Sequence, residues 1–247
     1  MSITTDALIV REYHVGEADR FVVALTRDLG IIHASAKGAR KIKSRNSTST
    51  SLLSYSKLSL VESHDKYVIT EARPERLFYS ANGDLKALAL SQYFCELAGV
   101  LAPREEPAEL QLRLLLNGLH FLNEGTKDFR LLKAVTEWRL LCEAGYMPYL
   151  TSCSGCGNTE GPFSFHPLQG TLSCKKCGSS VSSVLLYPAA LAAMQYIQTA
   201  PVEKIFSFSI SEEALSQFSA LSEKFLLTQL NRGFKTLDFY HSLEGKP

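Results

Sequence analysis

Five short runs of β-branched and aromatic residues occur within the first 80 residues, and this feature constrains the fold more than any other. Turn-forming residues such as Gly16, Asp28 and Gly30 separate the runs. Because five short strands in one open sheet would leave edges and one face uncovered, the pattern predicts a small barrel or sandwich. The predicted strands comprise residues 7–13, 20–26, 30–36, 55–62 and 66–72.

The connection between the third and fourth predicted strands, residues 37–54, is about 18 residues long and has no hydrophobic pattern. Long connections without secondary structure of their own are usually functional or disordered in a compact domain. Gly38 and the Ser/Thr-rich residues 44–51 predict a loop with enough freedom to follow a flexible strand of nucleic acid.

This connection begins with five cations in nine residues, and residues 29–61 contain six basic residues and no acidic one. A cluster of one sign repels itself and needs a counter-charge, for which phosphate is the obvious candidate. The formal net charge of +1 for the whole chain therefore conceals a local basic patch. A nucleic-acid contact is the favoured interpretation, while a solvated surface loop and a protein partner remain alternatives. The five cations are Lys37, Arg40, Lys41, Lys43 and Arg45.

Aromatic side chains on a small barrel can add a second kind of contact to nucleic acid. A five-stranded barrel with a positive groove and aromatic platforms is a common solution for binding single strands. The candidate platforms are Tyr13, Phe21, Tyr55 and Tyr67. Aromatic residues in strands are more often core or cross-strand residues, so the pattern alone does not separate the two roles.

The hydrophobic period changes after residue 82 to three or four residues, which predicts helices in most of the remaining chain. Residues 82–84 form a predicted turn and helix cap, Asp128 is a suitable second cap, and Gly145 is a suitable helix end. The predicted helices comprise residues 85–101, 107–122, 128–144, 188–199, 211–230 and 234–243.

Two CxxC pairs lie between the third and fourth predicted helices, with 17 residues between the pairs. Two residues between cysteines allow one tight turn to present both sulfur atoms to one ion, and two such turns complete a tetrahedron. Gly157 and Gly178 follow the pairs and allow the positive φ of such turns. The pattern predicts a zinc ribbon with a hairpin between the two turns, while disulfides, a redox dithiol pair, an iron site and a site without metal remain alternatives. The predicted ligands are Cys153, Cys156, Cys174 and Cys177.

Four thiolates leave no open coordination position, so the predicted ion is structural rather than catalytic. Lys175 and Lys176 lie between the last two ligands and are expected on a solvated turn. Cys95 and Cys142 fall in helical hydrophobic stripes and are expected in the core.

The sequence lacks the motifs of common catalytic sites. It contains no GxxxxGK[ST], HExxH or GxSxG motif, and its six histidines are scattered without partner spacing. We therefore expect a protein that is not an enzyme. The N-terminal residues do not resemble a secretory signal, and no segment approaches the roughly 20 apolar residues of a membrane span, which predicts a cytoplasmic protein.

Together these parts resemble the bacterial RecO family of recombination mediators. The resemblance rests on Lys37-Gly38-Ala39-Arg40 and Lys43-Ser44-Arg45 in the β-domain, on the four cysteines, and on the stretch between the third helix and the first CxxC pair. The matching parts span almost the whole chain. In that last stretch the matching residues are Glu137, Arg139, Leu140, Leu141, Gly145, Tyr146 and Pro148.

With this resemblance, the predicted fold is an α+β multidomain protein. It consists of an N-terminal five-stranded OB-fold barrel and a helical bundle domain with an inserted four-cysteine zinc ribbon. The predicted domains are residues 1–80 for DNA binding, residues 81–150 and 182–247 for the helical domain, and residues 151–181 for the ribbon.

The resemblance also implies a function. RecO-like proteins bind single- and double-stranded DNA, anneal complementary strands, associate with RecR, and help load RecA onto strands covered by single-strand-binding protein. Carried over to this chain, the resemblance implies a nucleoid-associated cytoplasmic protein with one structural Zn²⁺ ion at the four cysteines. A zinc-ribbon scaffold whose basic loop docks on an acidic protein, and a redox protein that uses the CxxC pairs, remain alternatives. The implied DNA contacts are Lys37, Arg40, Lys41, Lys43 and Arg45.

Overall fold

The computed structural model of the 247-residue chain describes residues 2–41, 43–63, 66–78, 83–178 and 182–244. Ile42 of the basic segment, Asn82 of the predicted cap, and the predicted domain boundaries at residues 80, 81 and 181 lie outside the described residues. The chain forms two compact units, the first made of Met1–Thr126 with Phe234–Pro247 and the second of Lys127–Gly233. The division into three domains, which differs from these two units, stays a prediction.

A closed barrel of five strands occupies the first unit, as the sequence predicts. The strand order is β1-β2-β3-β5-β4, and β4 pairs with β1 to close the barrel. Neighbouring strands are antiparallel except β3 and β5, which are parallel. The arrangement is OB-like, and together with the helices it confirms the α+β fold. The strands are β1 (Ser2–Val15), β2 (Asp19–Thr26), β3 (Gly30–Ala36), β4 (Ser54–Ser63) and β5 (Lys66–Leu77).

Alternate residues of each strand fill the barrel interior, because successive side chains point to opposite faces. Many of these inward residues are alanines, whose small side chains fit the limited space inside a narrow barrel. The intervening residues, among them Tyr13 and Phe21, lie on the outer face. The interior cluster consists of Ala7, Ile9, Val22, Ala24, Ile32, Ala34, Ala36, Ala39, Leu58, Leu60, Ile69 and Ala72.

Helices follow the barrel close to their predicted bounds. The Asp84 carboxylate accepts hydrogen bonds from the backbone N–H groups of Lys86 and Ala87, which confirms this residue as the predicted cap. In the first unit α1 packs against α2, α6, β1 and β2. None of the helices in the described part of the chain is long and apolar enough to cross a membrane. The helices are α1 (Leu85–Leu101), α2 (Glu109–Glu124), α3 (Phe129–Leu141), α4 (Pro188–Thr199), α5 (Glu212–Leu230) and α6 (Lys235–Glu244).

The second unit combines α3, α4 and α5 with a small sheet of order β6-β8-β7-β9. The central strands β7 and β8 form the predicted antiparallel hairpin, whereas the sequence patterns do not predict β6 and β9 at the edges. Trp138 of α3 is fully buried and contacts the rings of Phe165, Phe218 and Phe225, which joins the hairpin to α3 and α5. The strands are β6 (Tyr149–Cys153), β7 (Phe163–His166), β8 (Thr171–Cys174) and β9 (Val184–Leu185).

Candidate nucleic-acid interface and metal centre

The basic loop, residues 37–53, begins against the hairpin turn that joins β1 and β2. The backbone N–H of Gly38 donates to the Asp19 carboxylate at 2.7 Å, and the backbone N–H of Arg40 donates to the Ala18 carbonyl at 2.9 Å. The Arg40 guanidinium also donates to the Gly16 carbonyl at 2.9 Å. These contacts fix the first part of the loop to the end of the barrel.

A buried arginine holds the later part of the loop. Nη1 of Arg20 donates to the Ser47 carbonyl at 2.7 Å and to the Thr50 hydroxyl at 3.1 Å, and its Nε lies 3.2 Å from the Glu12 carboxylate. That carboxylate also accepts the backbone N–H of Leu52 at 3.1 Å. An ion pair between β1 and β2 therefore organises the loop that follows β3.

The Ser/Thr-rich segment is packed rather than free, which corrects the expectation of a flexible loop. Ser49 and Thr50 are fully buried, and the Ser49 hydroxyl donates to the Ala72 carbonyl of β5 at 3.0 Å. The Asn46 side chain accepts the backbone N–H of Ala72 at 3.2 Å. The polar side chains of a segment that was expected to be flexible instead form hydrogen bonds that attach it to the barrel.

The five cations of the basic loop project from this anchored backbone, and we call them the loop cations. All five are exposed. Within the described residues, no recorded ion pair includes any of them, whereas other arginines such as Arg27 and Arg73 pair with nearby carboxylates. Their charges are therefore not offset by salt bridges in that part of the chain. That they contact DNA stays a prediction. The loop cations are Lys37, Arg40, Lys41, Lys43 and Arg45.

A polar groove of about 710 Å³ lies beside the loop cations, between the basic loop and β5. Arg45 contributes to one side of the groove and Arg73 to the other, where the Arg73 guanidinium lies 3.0 Å from the Glu71 carboxylate. Sequence reasoning missed Arg73, because an isolated cation in a strand has no pattern that marks it. The lining residues are Ser44, Arg45, Asn46, Thr70, Glu71, Ala72, Arg73 and Pro74.

The four aromatic candidates fall into two groups. Tyr13 is 45% exposed, and Phe21 lies beside it, partly exposed, on the outer face of the barrel. Tyr67 packs against the interior cluster. Tyr55 and Tyr67 are half-buried, and burial raises the pKa of both hydroxyls. Of the four candidates, Tyr13 is the exposed side chain, and Phe21 is its ring neighbour on the outer face.

The four predicted ligand cysteines come together in the second unit. Their sulfur atoms all lie within 4.8 Å of one another, and the six cysteines of the chain are unpaired thiols. The Cys156 and Cys174 sulfurs are 3.6 Å apart. Zn–S bonds of about 2.3 Å in a tetrahedron place sulfur atoms about 3.8 Å apart. The cluster therefore has the size and the donor atoms of a tetrathiolate metal site.

Backbone N–H groups stabilise thiolates in both turns of this cluster. The N–H of Cys174 donates to the Cys153 sulfur at 3.2 Å and, with help from the N–H groups of Gly155 and Cys156, lowers the pKa of the Cys153 thiol to about 6. Hydrogen bonds from the backbone of Cys177 and its neighbour likewise lower the pKa of Cys174. These donors favour the ionised form that metal binding requires.

Glycines shape the two turns as expected. Gly157 has φ +73° and Gly178 has φ +82°, so each adopts the left-handed conformation predicted after a CxxC pair. A Cβ atom at Gly155 would lie 3.0 Å from the Cys177 sulfur, so a side chain at this position would crowd the cluster. The sequence pattern did not mark this third glycine.

The two remaining cysteines and the two lysines between the last predicted ligands are placed as expected. Cys95 and Cys142 are buried, and burial raises the pKa of each thiol to about 12. Lys175 and Lys176 are exposed at the tip of the second turn.

Comparison with known proteins gives a consistent result over most of the chain. A family model described as Recombination protein O N terminal matches residues 1–78, and one described as Recombination protein O C terminal matches residues 82–238. A DNA repair protein RecO from Acetivibrio thermocellus is 30% identical over 246 residues, covering 98% of this chain and 97% of the relative. Proteins of the same name from Symbiobacterium thermophilum and a Dehalococcoides mccartyi strain are 28% and 33% identical, covering 97% and 86% of this chain and 97% and 85% of the relatives.

Proposed function

Because this chain belongs to the RecO family of DNA repair proteins, we propose that it binds single- and double-stranded DNA through the loop cations. It acts as a recombination mediator without covalent chemistry: it anneals complementary strands and, with RecR, helps load RecA onto strands covered by single-strand-binding protein. This role places it in the cytoplasm, at the nucleoid. The observation that carries the DNA-binding proposal is the array of five exposed cations on an anchored loop, none of which has an ion-pair partner among the described residues.

The physical basis of binding is the release of counterions. Each cation that neutralises a backbone phosphate frees a condensed counterion, and this term is independent of base sequence. Because the basic loop is already fixed to the barrel by Arg20 and Asp19, little backbone conformational entropy is lost when DNA binds. Strands held near the loop cations repel each other less, which favours pairing of complementary sequences.

The salt dependence of binding tests the assignment of the loop cations. If all five contact a single strand, a plot of log K against log[salt] has a slope of roughly −3.5, from about 0.7 per contact. Each Lys or Arg to Ala change in the loop then makes the slope less steep by about 0.7. Lys204→Ala and Lys224→Ala remove exposed lysines from the second unit and leave the slope unchanged. Fluorescence anisotropy of a labelled oligonucleotide measures these slopes.

Other outcomes of the same experiment would reject the proposal. A variant in which all five loop cations are changed to alanine, and which folds and keeps the wild-type salt slope, would show that the loop cations are not the DNA contacts. Negligible affinity for free oligonucleotide, with tight binding to an acidic protein, would support the interaction scaffold instead. Strand annealing is measured separately, by the rate at which complementary labelled strands pair with and without the protein. Association with RecR is measured by co-elution of the two purified proteins.

We further propose that the four clustered cysteines hold one structural Zn²⁺ ion. The support is the fit of four sulfur atoms, the N–H groups directed at two of them, and the close approach of Gly155 to the Cys177 sulfur. A bound ion would join the two CxxC turns and contribute folding free energy to the ribbon. Elemental analysis is expected to give one zinc per chain in the wild type and in Cys95→Ala, and none in Cys156→Ser. Iron in place of zinc, or no metal at all, would contradict the proposal.

A further inference from the structure

Three rings from three adjacent strands lie side by side on the outer face of the barrel. Tyr13 of β1 is the cross-strand neighbour of Phe21 of β2, with ring centroids 6.4 Å apart. Phe21 in turn lies 5.9 Å from the imidazole of His33 on β3, and the two ring planes differ by only 26°. We call Tyr13, Phe21 and His33 the ring ladder.

The ring ladder is open to solvent although the neighbouring part of the same face is covered. Val23 and Leu25, the next outward residues of β2, are 8% and 0% exposed, and β1 and β2 pack against α1 and α2. Tyr13 is 45% exposed, His33 is exposed, and Phe21 between them is partly exposed. The rings therefore form an aromatic surface that none of the described elements of the first unit covers completely.

Cations lie next to the ring ladder along β1 and β3. The Arg11 guanidinium carbon lies 5.8 Å from the centre of the Tyr13 ring, and its Nη1 donates to the Tyr13 hydroxyl at 3.1 Å. On β3, alternation places His33 and Ser35 on the outer face. Lys37, the first of the loop cations, is exposed in the turn that begins directly after β3. One cation therefore contacts the ring ladder at Tyr13, and the loop cations begin shortly after His33 in the chain.

We infer that the ring ladder is a stacking platform for the unpaired bases of single-stranded DNA. Base–aromatic stacking requires bases whose faces are free, which a single strand offers and an intact duplex does not. The flanking cations match the phosphates that such a strand carries past the rings. This inference rests on the proposed DNA-binding function and adds to it a second, uncharged contact that distinguishes single strands from duplexes.

An abasic oligonucleotide provides the matching probe, because it keeps the phosphates of a single strand and lacks the bases. Anisotropy is measured with a labelled single strand, the same strand without bases, and the corresponding duplex. We expect the wild type to bind the normal strand about tenfold or more tightly than the abasic strand, since stacking contributes roughly 1–3 kcal/mol per base. Tyr13→Leu with Phe21→Leu is expected to remove most of this preference.

Two readouts separate stacking from charge and from folding. The leucine variant is expected to keep its duplex affinity and its salt slope, because the loop cations are intact. Tyr13→Phe and Phe21→Trp keep a ring at each position and are expected to keep the preference for bases. Phe239→Leu, which removes an exposed ring of α6, is the matched control and is expected to change nothing. A 2-aminopurine base in the strand is expected to be quenched on binding to the wild type.

The results discriminate between this inference and the proposed function. If the wild type binds neither strand nor duplex, the proposed function fails. If the wild type binds with the expected salt slope but has no preference for bases, or if the folded leucine variant keeps that preference, the ring ladder is not a stacking platform and the proposed function stands. Equal loss of duplex and single-strand affinity in a folded variant also overturns the inference. If the leucine variant does not fold, unquenched 2-aminopurine on the wild type would overturn it.

Discussion

Arg20 is the residue that we expect to control the position of the basic loop, and Arg20→Met tests this. Methionine keeps most of the aliphatic stem but removes the hydrogen bonds to Ser47 and Thr50 and the ion pair with Glu12. Hydrogen bonds to charged groups contribute roughly 1.5–3 kcal/mol each, and removing one partner of a buried ion pair costs about 3–5 kcal/mol. The Arg20 side chain is 10% exposed and that of Glu12 is 26% exposed, so water can solvate the remaining carboxylate in part. We therefore take the lower end of the range, about 3 kcal/mol.

Hydrogen exchange at the backbone of the basic loop measures this loss. The N–H of Leu52 donates to Glu12 and the N–H of Leu53 donates to the Ile9 carbonyl, so both are protected only while the loop is in place. A change of about 3 kcal/mol predicts exchange roughly 100-fold faster at these amides. Arg27→Met removes an exposed arginine that pairs with Asp6 and Asp28, and no change at these amides is expected.

Two results would refute this reasoning. Protection of the two loop amides within about threefold of wild type in a folded Arg20→Met variant would show that other contacts hold the loop. A salt slope reduced to the level of the loop-cation variants would show that Arg20 itself contacts DNA. The expected result is lower DNA affinity with an unchanged slope, because every exposed cation is still present.

Three further changes have defined outcomes. Lys133→Met leaves the fully buried Glu137 carboxylate without the cation 2.9 Å away, which costs about 3–5 kcal/mol and lowers Tm by roughly 6–20 °C in a thermal scan. Gly30→Ala places a side chain at φ +64° and against the Pro103 carbonyl oxygen, so the free energy of unfolding falls by at least about 1 kcal/mol in urea titration. Hydrogen bonds with neighbouring sulfurs raise the pKa of the Cys177 thiol to about 12, so this thiol is protonated at neutral pH before metal binds. Because metal binding must release this proton, zinc affinity is expected to rise with pH by at least about tenfold per unit, as measured with a competing chelator.

Local chemistry explains why several elements could be predicted from the sequence. The N-terminus of α1 is marked by Asp84, whose carboxylate reaches only two and three residues ahead. The metal cluster is equally local, because each CxxC turn brings its own two sulfurs together and only the meeting of the two turns requires the fold. The helices and the hairpin between the turns depend on periodicity, which is visible in any short window.

The packing of the basic loop could not be predicted from the sequence, because it depends on long-range rather than local contacts. Its contacts join residues far apart in the chain, such as Leu52 with Glu12 and Ser49 with Ala72. Serine and threonine hydroxyls mark turns as readily as they mark disordered segments. The same limit applies to β1, which begins at Ser2 rather than near Ala7, because the mostly polar residues 2–5 pair with β4.

The ring ladder illustrates a contact that only topology reveals. Tyr13 and Phe21 are close in sequence and could be paired by assuming a hairpin, but His33 joins them only because β3 lies beside β2. The loop cations begin with Lys37, directly after the end of the strand that carries His33. A loop that is anchored by Arg20 keeps this order of rings and charges when no ligand is bound. If the ring ladder and the loop cations bind DNA as proposed, a single strand uses both surfaces in a fixed arrangement while a duplex uses the charges alone. Loss of the anchor is then expected to weaken single-strand binding more than duplex binding.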